Sequence, residues 1–116
     1  VRDVADVAAK ALTEPGHEGK EYSLTGPAAI THDEVAAAIS QATGRTIRFV
    51  NVPEEAARQA MSAHMPPWLV NVILELNTWT RTNGGAQVTN TLPEVLGRPA
   101  RTFAEFAKDH AHYWKA

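Results

Sequence analysis

Hydrophobic positions along the 116-residue chain fall into stretches of helical period and of period two, punctuated by glycine and proline. Asp3 stands where a helix N-cap belongs, ahead of Val4, Val7, Ala8, Ala11 and Leu12, and Pro15-Gly16 ends that run. Ala5 and Ala9 make this helix apolar nearly all round, as expected of a helix lying between two layers. Glu21 to Thr25 alternates apolar with polar and stops at Gly26-Pro27, which predicts a short strand. Thr31 and Glu34 then make a capping box before Val35, Ala38, Ile39 and Ala42, and Gly44 is placed for a left-handed helix end.

Thr46 to Val52 returns to period two and predicts a second strand, closed by Pro53. Pro53 suits the first position of a helix running to about Ala63, with Glu54 and Glu55 in its first turn. After the break His64-Met65-Pro66-Pro67, a long helix is expected from Trp68 through Val70, Val72, Ile73, Leu74, Leu76 and Trp79, stopping near Asn83-Gly84-Gly85. Pro93 to Leu96 is a short helical turn. Thr102 and Glu105 form a second capping box for a last helix carrying Phe103, Phe106, Ala107 and His110 toward Trp114. Five helices and two short strands make a helix-dominated α/β lobe, one domain over residues 1–116. Two strands are too few for an independent sheet, so something else is expected to complete it.

Composition narrows the classes. With 44% hydrophobic and 21% charged residues the chain should fold, and its size allows a real core. A net charge of −2 with scattered basic residues argues against nucleic acid. The sequence contains neither an apolar run of about 20 residues nor a signal-peptide pattern, so a cytoplasmic protein without a membrane anchor is the default expectation. The absence of cysteine excludes disulfides and thiolate metal sites. The chain enters helical periodicity directly after Val1, which truncation, processing or an unusual start would each explain.

Candidate chemistry is sparse. Neither a Gly-x-Gly-x-x-Gly nor a Walker pattern occurs, and Gly26 and Gly84-Gly85 lack that spacing, so no cofactor site is expected within the chain. His110 and His112, two apart, are expected on different faces of a helix, and His17 and His32 lie beside turns, so no metal site is expected. Ser40 and Ser62 fall inside helices, outside any exposed nucleophile turn. Tyr22 is followed at the fourth place by Gly26, so a Tyr-x-x-x-Lys pair is missing and no catalytic residue is assigned. The helix break offers Met61, His64, Met65, Trp68 and, further along, Trp79 as lining for a substrate pocket. The competing reading is that Met61, Met65 and Trp68 fill a helix–helix junction.

Val1-Arg2-Asp3-Val4-Ala5-Asp6-Val7-Ala8, followed by Gly19-Lys20-Glu21-Tyr22-Ser23-Leu24-Thr25-Gly26-Pro27, resembles the second half of NmrA-like and related atypical short-chain dehydrogenase/reductase proteins. Gly44-Arg45-Thr46-Ile47-Arg48-Phe49 into Pro53-Glu54, and Leu96-Gly97-Arg98-Pro99 into Phe103 and Phe106, continue the likeness over nearly the whole chain. The resemblance implies a parent with an N-terminal Rossmann half that binds NAD(P), which is absent from this sequence. It also implies a C-terminal substrate-binding lobe, inactive alone. The alternative is a stand-alone small-molecule-binding or redox-sensing regulatory module without catalysis. With its expected neighbour missing, the first helix is expected to form a homodimer through Val4, Val7, Ala8, Ala11 and Leu12.

Overall fold

A computed structural model of the chain describes residues 1–82 and 84–114. Among these the α-helices are α1 (Arg2–Thr13), α2 (His32–Thr43), α3 (Glu54–Ser62), α4 (Pro67–Arg81), α5 (Thr91–Leu96) and α6 (Phe103–Asp109), with a 3₁₀ turn at Ala111–Trp114. The backbone divides into two compact units, one of residues 1–47 with the segment from 88 onward, the other of residues 48–87.

Both capping boxes form as read. The Thr31 hydroxyl accepts the Glu34 N–H at 3.2 Å while the Glu34 carboxylate accepts the Thr31 N–H at 2.6 Å, and Thr102 and Glu105 repeat the exchange at 3.1 and 2.6 Å. Gly44 ends α2 at φ 72°, left-handed backbone that costs glycine little. Four boundaries differ from expectation, each for a local reason. Asp3 does not cap α1: Val1 holds the N-cap position, and the Asp3 carboxylate is taken by distant arginines. Pro53 precedes α3 instead of opening it. Pro93 does not start α5, which begins at Thr91, because a proline is tolerated in the first turn where its missing N–H has no partner to lose. The last helix stops at Asp109, where the His110 ring nitrogen Nδ1 lies 2.9 Å from the Phe106 carbonyl and the chain tightens into the 3₁₀ turn. The end of α4 at Arg81 fits the expected breaker, of which Asn83 lies outside the described residues.

The two expected strands are not present among the described residues. Residues 21–25 have no ladder. They are held instead by Thr89, whose N–H donates to Thr25 Oγ1 at 3.0 Å and whose hydroxyl donates to the Ser23 carbonyl at 2.7 Å. In the second segment the Ile47 N–H donates to Ser40 Oγ at 2.9 Å, and Phe49, Val50 and Val52 remain exposed. Alternation fixes which way side chains point, but a strand also needs a neighbour whose backbone it can pair.

In the first unit, α1 packs on α5 around buried Val7, Leu92 and Ala100, with Tyr22, Leu24, Val95 and Leu96 against them. α2 packs on α6, where the buried residues are the small Ala36 and Ala107. Of the residues expected at a dimer contact, Val7 is thus enclosed by its own chain, while Val4 and Leu12 are exposed. In the second unit α3 packs on α4, which buries Val70 and Leu74.

Candidate functional site

The helix break expected to line a pocket is a tight turn. The N–H groups of His64 and Met65 both donate to the Met61 carbonyl, at 3.0 and 2.9 Å, and Pro67 opens α4 with no N–H to satisfy. Met61 is half-buried on α3; His64, Met65 and Trp68 are exposed. Trp79 lies near the far end of α4. It lines a cavity of about 370 Å³ with Glu54, Arg58, Asn71, Glu75 and the buried Leu74, which Met61, His64, Met65 and Trp68 do not border. Arg58 crosses this cleft, donating to Asn71 Oδ1 at 2.7 Å and to Glu54 at 3.2 Å, and so ties α3 to α4.

What joins Trp68 to Trp79 is a helix face. Trp68, Val72, Leu76 and Trp79 follow i, i+4, i+8, i+11, which is one stripe of an α-helix, and they remain 67%, 52%, 54% and 53% exposed. Val70 and Leu74 take the buried side. Val72 and Leu76 therefore belong with the indoles on an open apolar surface, a membership that the continuous hydrophobic pattern of α4 concealed.

A larger cavity, about 600 Å³, lies in the first unit, and sequence reasoning missed it. Its walls come from Val1 and the start of α1, from the Gly26–Ile30 loop, from α2 and from the start of α6. The only sequence signal was the pair of capping boxes, which place two helix starts at its border.

Four charges of this unit satisfy one another. Arg98 donates to Asp3 and Asp6, Arg101 Nη1 contacts the same two carboxylates, and the Arg101 N–H donates to Asp3 at 2.8 Å. Partial desolvation of Asp3 works against ionisation, but the Arg101 backbone donor and the Arg98 guanidinium outweigh it, so the carboxyl titrates below its usual range. Asp6 is lowered by the Arg101 and Arg98 side chains. Each carboxyl binds protons less readily folded than unfolded. The stability they supply is therefore complete above the ordinary value of 3.8 and is lost as pH falls from there through the folded values. Unfolding midpoints measured from pH 6 to pH 2 should fall on the acid side, and Arg98→Ala should flatten that fall. An unchanged acid slope in the variant would remove the network from the account.

Histidine geometry departs from expectation as well. Because α6 ends at Asp109, His110 and His112 do not diverge on a helix: their rings are stacked with centroids 6.5 Å apart and planes 25° from parallel. No group of three or more metal-binding side chains occurs among the described residues. His17 Nδ1 lies 2.7 Å from the Tyr22 hydroxyl, a contact between loop and extended segment.

Over 111 residues the chain is 51% identical to the NAD(P)H azoreductase of Xenophilus azovorans, covering 95% of this chain and 39% of that protein. It is 44% identical to the (4-alkanoyl-5-oxo-2,5-dihydrofuran-3-yl)methyl phosphate reductase of Streptomyces griseus, with coverage of 95% and 39%. Its backbone superimposes on the NADPH-dependent quinone oxidoreductase of Escherichia coli with a TM-score of 0.80 at 28% identity, covering 97% of this chain and 40% of that one. The chain matches part of NAD(P)H-dependent reductases that have the NmrA-like, atypical short-chain dehydrogenase/reductase fold.

It spans about 39% of the length of the curated relatives it matches. No protein-family model matches it. Two of these three names carry NAD(P)H or NADPH, and the described residues of this chain do not fit that group's pyrophosphate. A phosphate cradle needs glycine at a helix N-terminus, where N–H groups and the positive end of the dipole face the anion. Among the described residues the glycines at positive φ are Gly16 and Gly19, in the turn after α1, and Gly44 and Gly97, at helix C-termini. Those helix ends present carbonyl oxygens, the wrong polarity for phosphate. No helix among the described residues is long and apolar enough to cross a membrane.

Proposed function

We propose that this chain is the substrate-binding part of an NAD(P)H-dependent reductase, and that it holds and orients a flat, conjugated electron acceptor while the dinucleotide is bound by other residues of a longer protein. The observation that carries the reading is the 51% identity to an azoreductase over 95% of the chain, which spans the α3–α4 unit. The open face of α4 supplies a surface suited to such a molecule. Two indoles separated by Val72 and Leu76 offer broad, rigid, apolar area, and exposed aromatic surface of this kind is what a planar ring system covers. Met61 at the end of α3, and His64 and Met65 in the turn before α4, precede Trp68 in the chain and would close that side of the ligand.

In this role the chain moves no proton and forms no bond. Its part is positional: reduction of an azo or quinone group needs the acceptor held against the reductant with water kept away, and an apolar face does both. Titration of the chain with methyl red and with menadione tests this, read by indole fluorescence and by amide shifts. Shifts across residues 61–79 are expected, with affinity falling about tenfold or more in a Trp68→Ala/Trp79→Ala double variant. Unchanged affinity in that variant would rule the α4 face out.

A further inference from the structure

We propose that the cavity of about 600 Å³ in the first unit is a binding site for an uncharged, flat aromatic molecule. Its volume lies within the range of about 300–1,000 Å³ typical of small-molecule sites. Pro27 and Ile30 from the loop, Ala38 from α2, and Phe103, Ala104 and Phe106 from α6 form an apolar lining drawn from three elements. Ile30 and Phe106 are still 45% and 43% exposed, so the chain's own packing leaves this surface open.

The charges at its border select against an ion. Glu34 and Glu105 are each occupied by the backbone N–H and hydroxyl of their own capping threonine. Arg2 is paired with Asp109 at 2.6 Å, and Arg101 with Asp3 and Asp6. The terminal ammonium of Val1 also borders the cavity; the side-chain charges there are already matched, so a charged ligand gives up hydration for little return from them, whereas a neutral one gives up little.

The aromatic wall explains the preference for a flat molecule. Phe106 is stacked on His110 with centroids 4.3 Å apart and planes 27° from parallel, and it meets the Trp114 ring edge-on at 6.1 Å. Phe103 lies beside it at 5.6 Å, tilted by 40°. His110 is itself held by the contact of its Nδ1 with the Phe106 carbonyl. The ring orientation is therefore set before any ligand arrives, and binding loses little side-chain freedom.

The test compares 2-naphthamide with 2-naphthoate, the same ring system without and with a charge, by amide shifts on the intact chain. Naphthamide is expected to shift residues 26–30 and 102–106, with naphthoate about tenfold weaker or worse. Ala38→Phe should fill the cavity and abolish the shifts. Ala104→Phe, at an exposed helical position, should do the same with the far-ultraviolet dichroism unchanged. Equal affinity for the two compounds, shifts confined to other residues, or binding that persists in a folded Ala104→Phe chain would each overturn the proposal. So would shifts of these same amides on raising the protein concentration alone, which would mean that a second copy covers the cavity.

Discussion

Leu92→Ala should cost about 2–5 kcal/mol, the usual range for truncating a buried leucine, with the upper part of that range expected. Leu92 is 3% exposed and shares its cluster with Val7 and Ala100, while Tyr22, Leu24, Val95 and Leu96 pack around it. Side chains of α1, the 21–25 segment and α5 meet with Ala100 in this cluster. The 21–25 segment has no ladder, so its attachment depends on Tyr22, Leu24 and the Thr89 bridges, and a cavity at Leu92 undercuts the first two. Small domains have about 5–15 kcal/mol of net stability, so a loss of this size takes a large share. Urea unfolding measures it. Leu12→Ala, at a side chain 87% exposed, is the control and should change stability by less than about 0.5 kcal/mol. Equal effects at the two sites would mean that the core lies elsewhere.

The second large effect concerns α1. We propose that the chain pairs with a copy of itself along the open side of this helix, through Val4, Ala8, Ala11 and Leu12 of the face expected from sequence, without Val7. Antiparallel pairing about a two-fold axis near Ala8 would set Val4 of one protomer against Leu12 of its partner, with small alanines between them to allow close approach. Val4 is 52% exposed and Leu12 87%. Each large side chain so buried contributes about 1.5–3 kcal/mol. A helix of 12 residues is only about 18 Å long, however, and covers less than the roughly 800 Å² per partner of a standard interface. Association should therefore be weak and concentration-dependent. Sedimentation equilibrium across a hundredfold range of concentration should show a monomer–dimer equilibrium, and Leu12→Lys should shift it to monomer throughout. A wild-type chain that stays monomeric over the whole range would refute the pairing.

The family likeness was visible from short motifs because they record local demands. Leu24-Thr25-Gly26-Pro27 and Gly44-Arg45 are turn and helix-end residues whose identity is set by backbone shape. The candidate site was less visible. Met61, His64, Met65, Trp68 and Trp79 were picked out from a helix break and the helix after it; Met61 falls on α3, His64 and Met65 in the turn between the helices, and Trp68 and Trp79 on α4. Nothing in their spacing told which side of α4 faces outward, because the helix is apolar at Trp68, Leu69, Val70, Val72, Ile73, Leu74 and Leu76 and so carries weak facial contrast.

By itself the sequence determined where helices begin and end whenever the deciding contact spans three or four residues. Thr31 with Glu34, Thr102 with Glu105, and Gly44 are such cases, and there the physical cause and the pattern occupy the same short window. Only the tertiary structure decided matters settled by distant partners. Asp3 leaves its expected cap role because Arg98 and Arg101 approach it from the other end of the chain. The segments at 21–25 and 46–52 alternate like strands yet stay unpaired, because a ladder is a property of two backbones. Val70 and Leu74, not Trp68 and Leu76, are the buried residues of α4, on which α3 packs, and the 600 Å³ cavity exists because the 26–30 loop and α2 meet α6, far along the chain, without filling the space between them. Each of these outcomes depends on free energy shared between residues tens of positions apart, and periodicity along a single stretch carries no record of it.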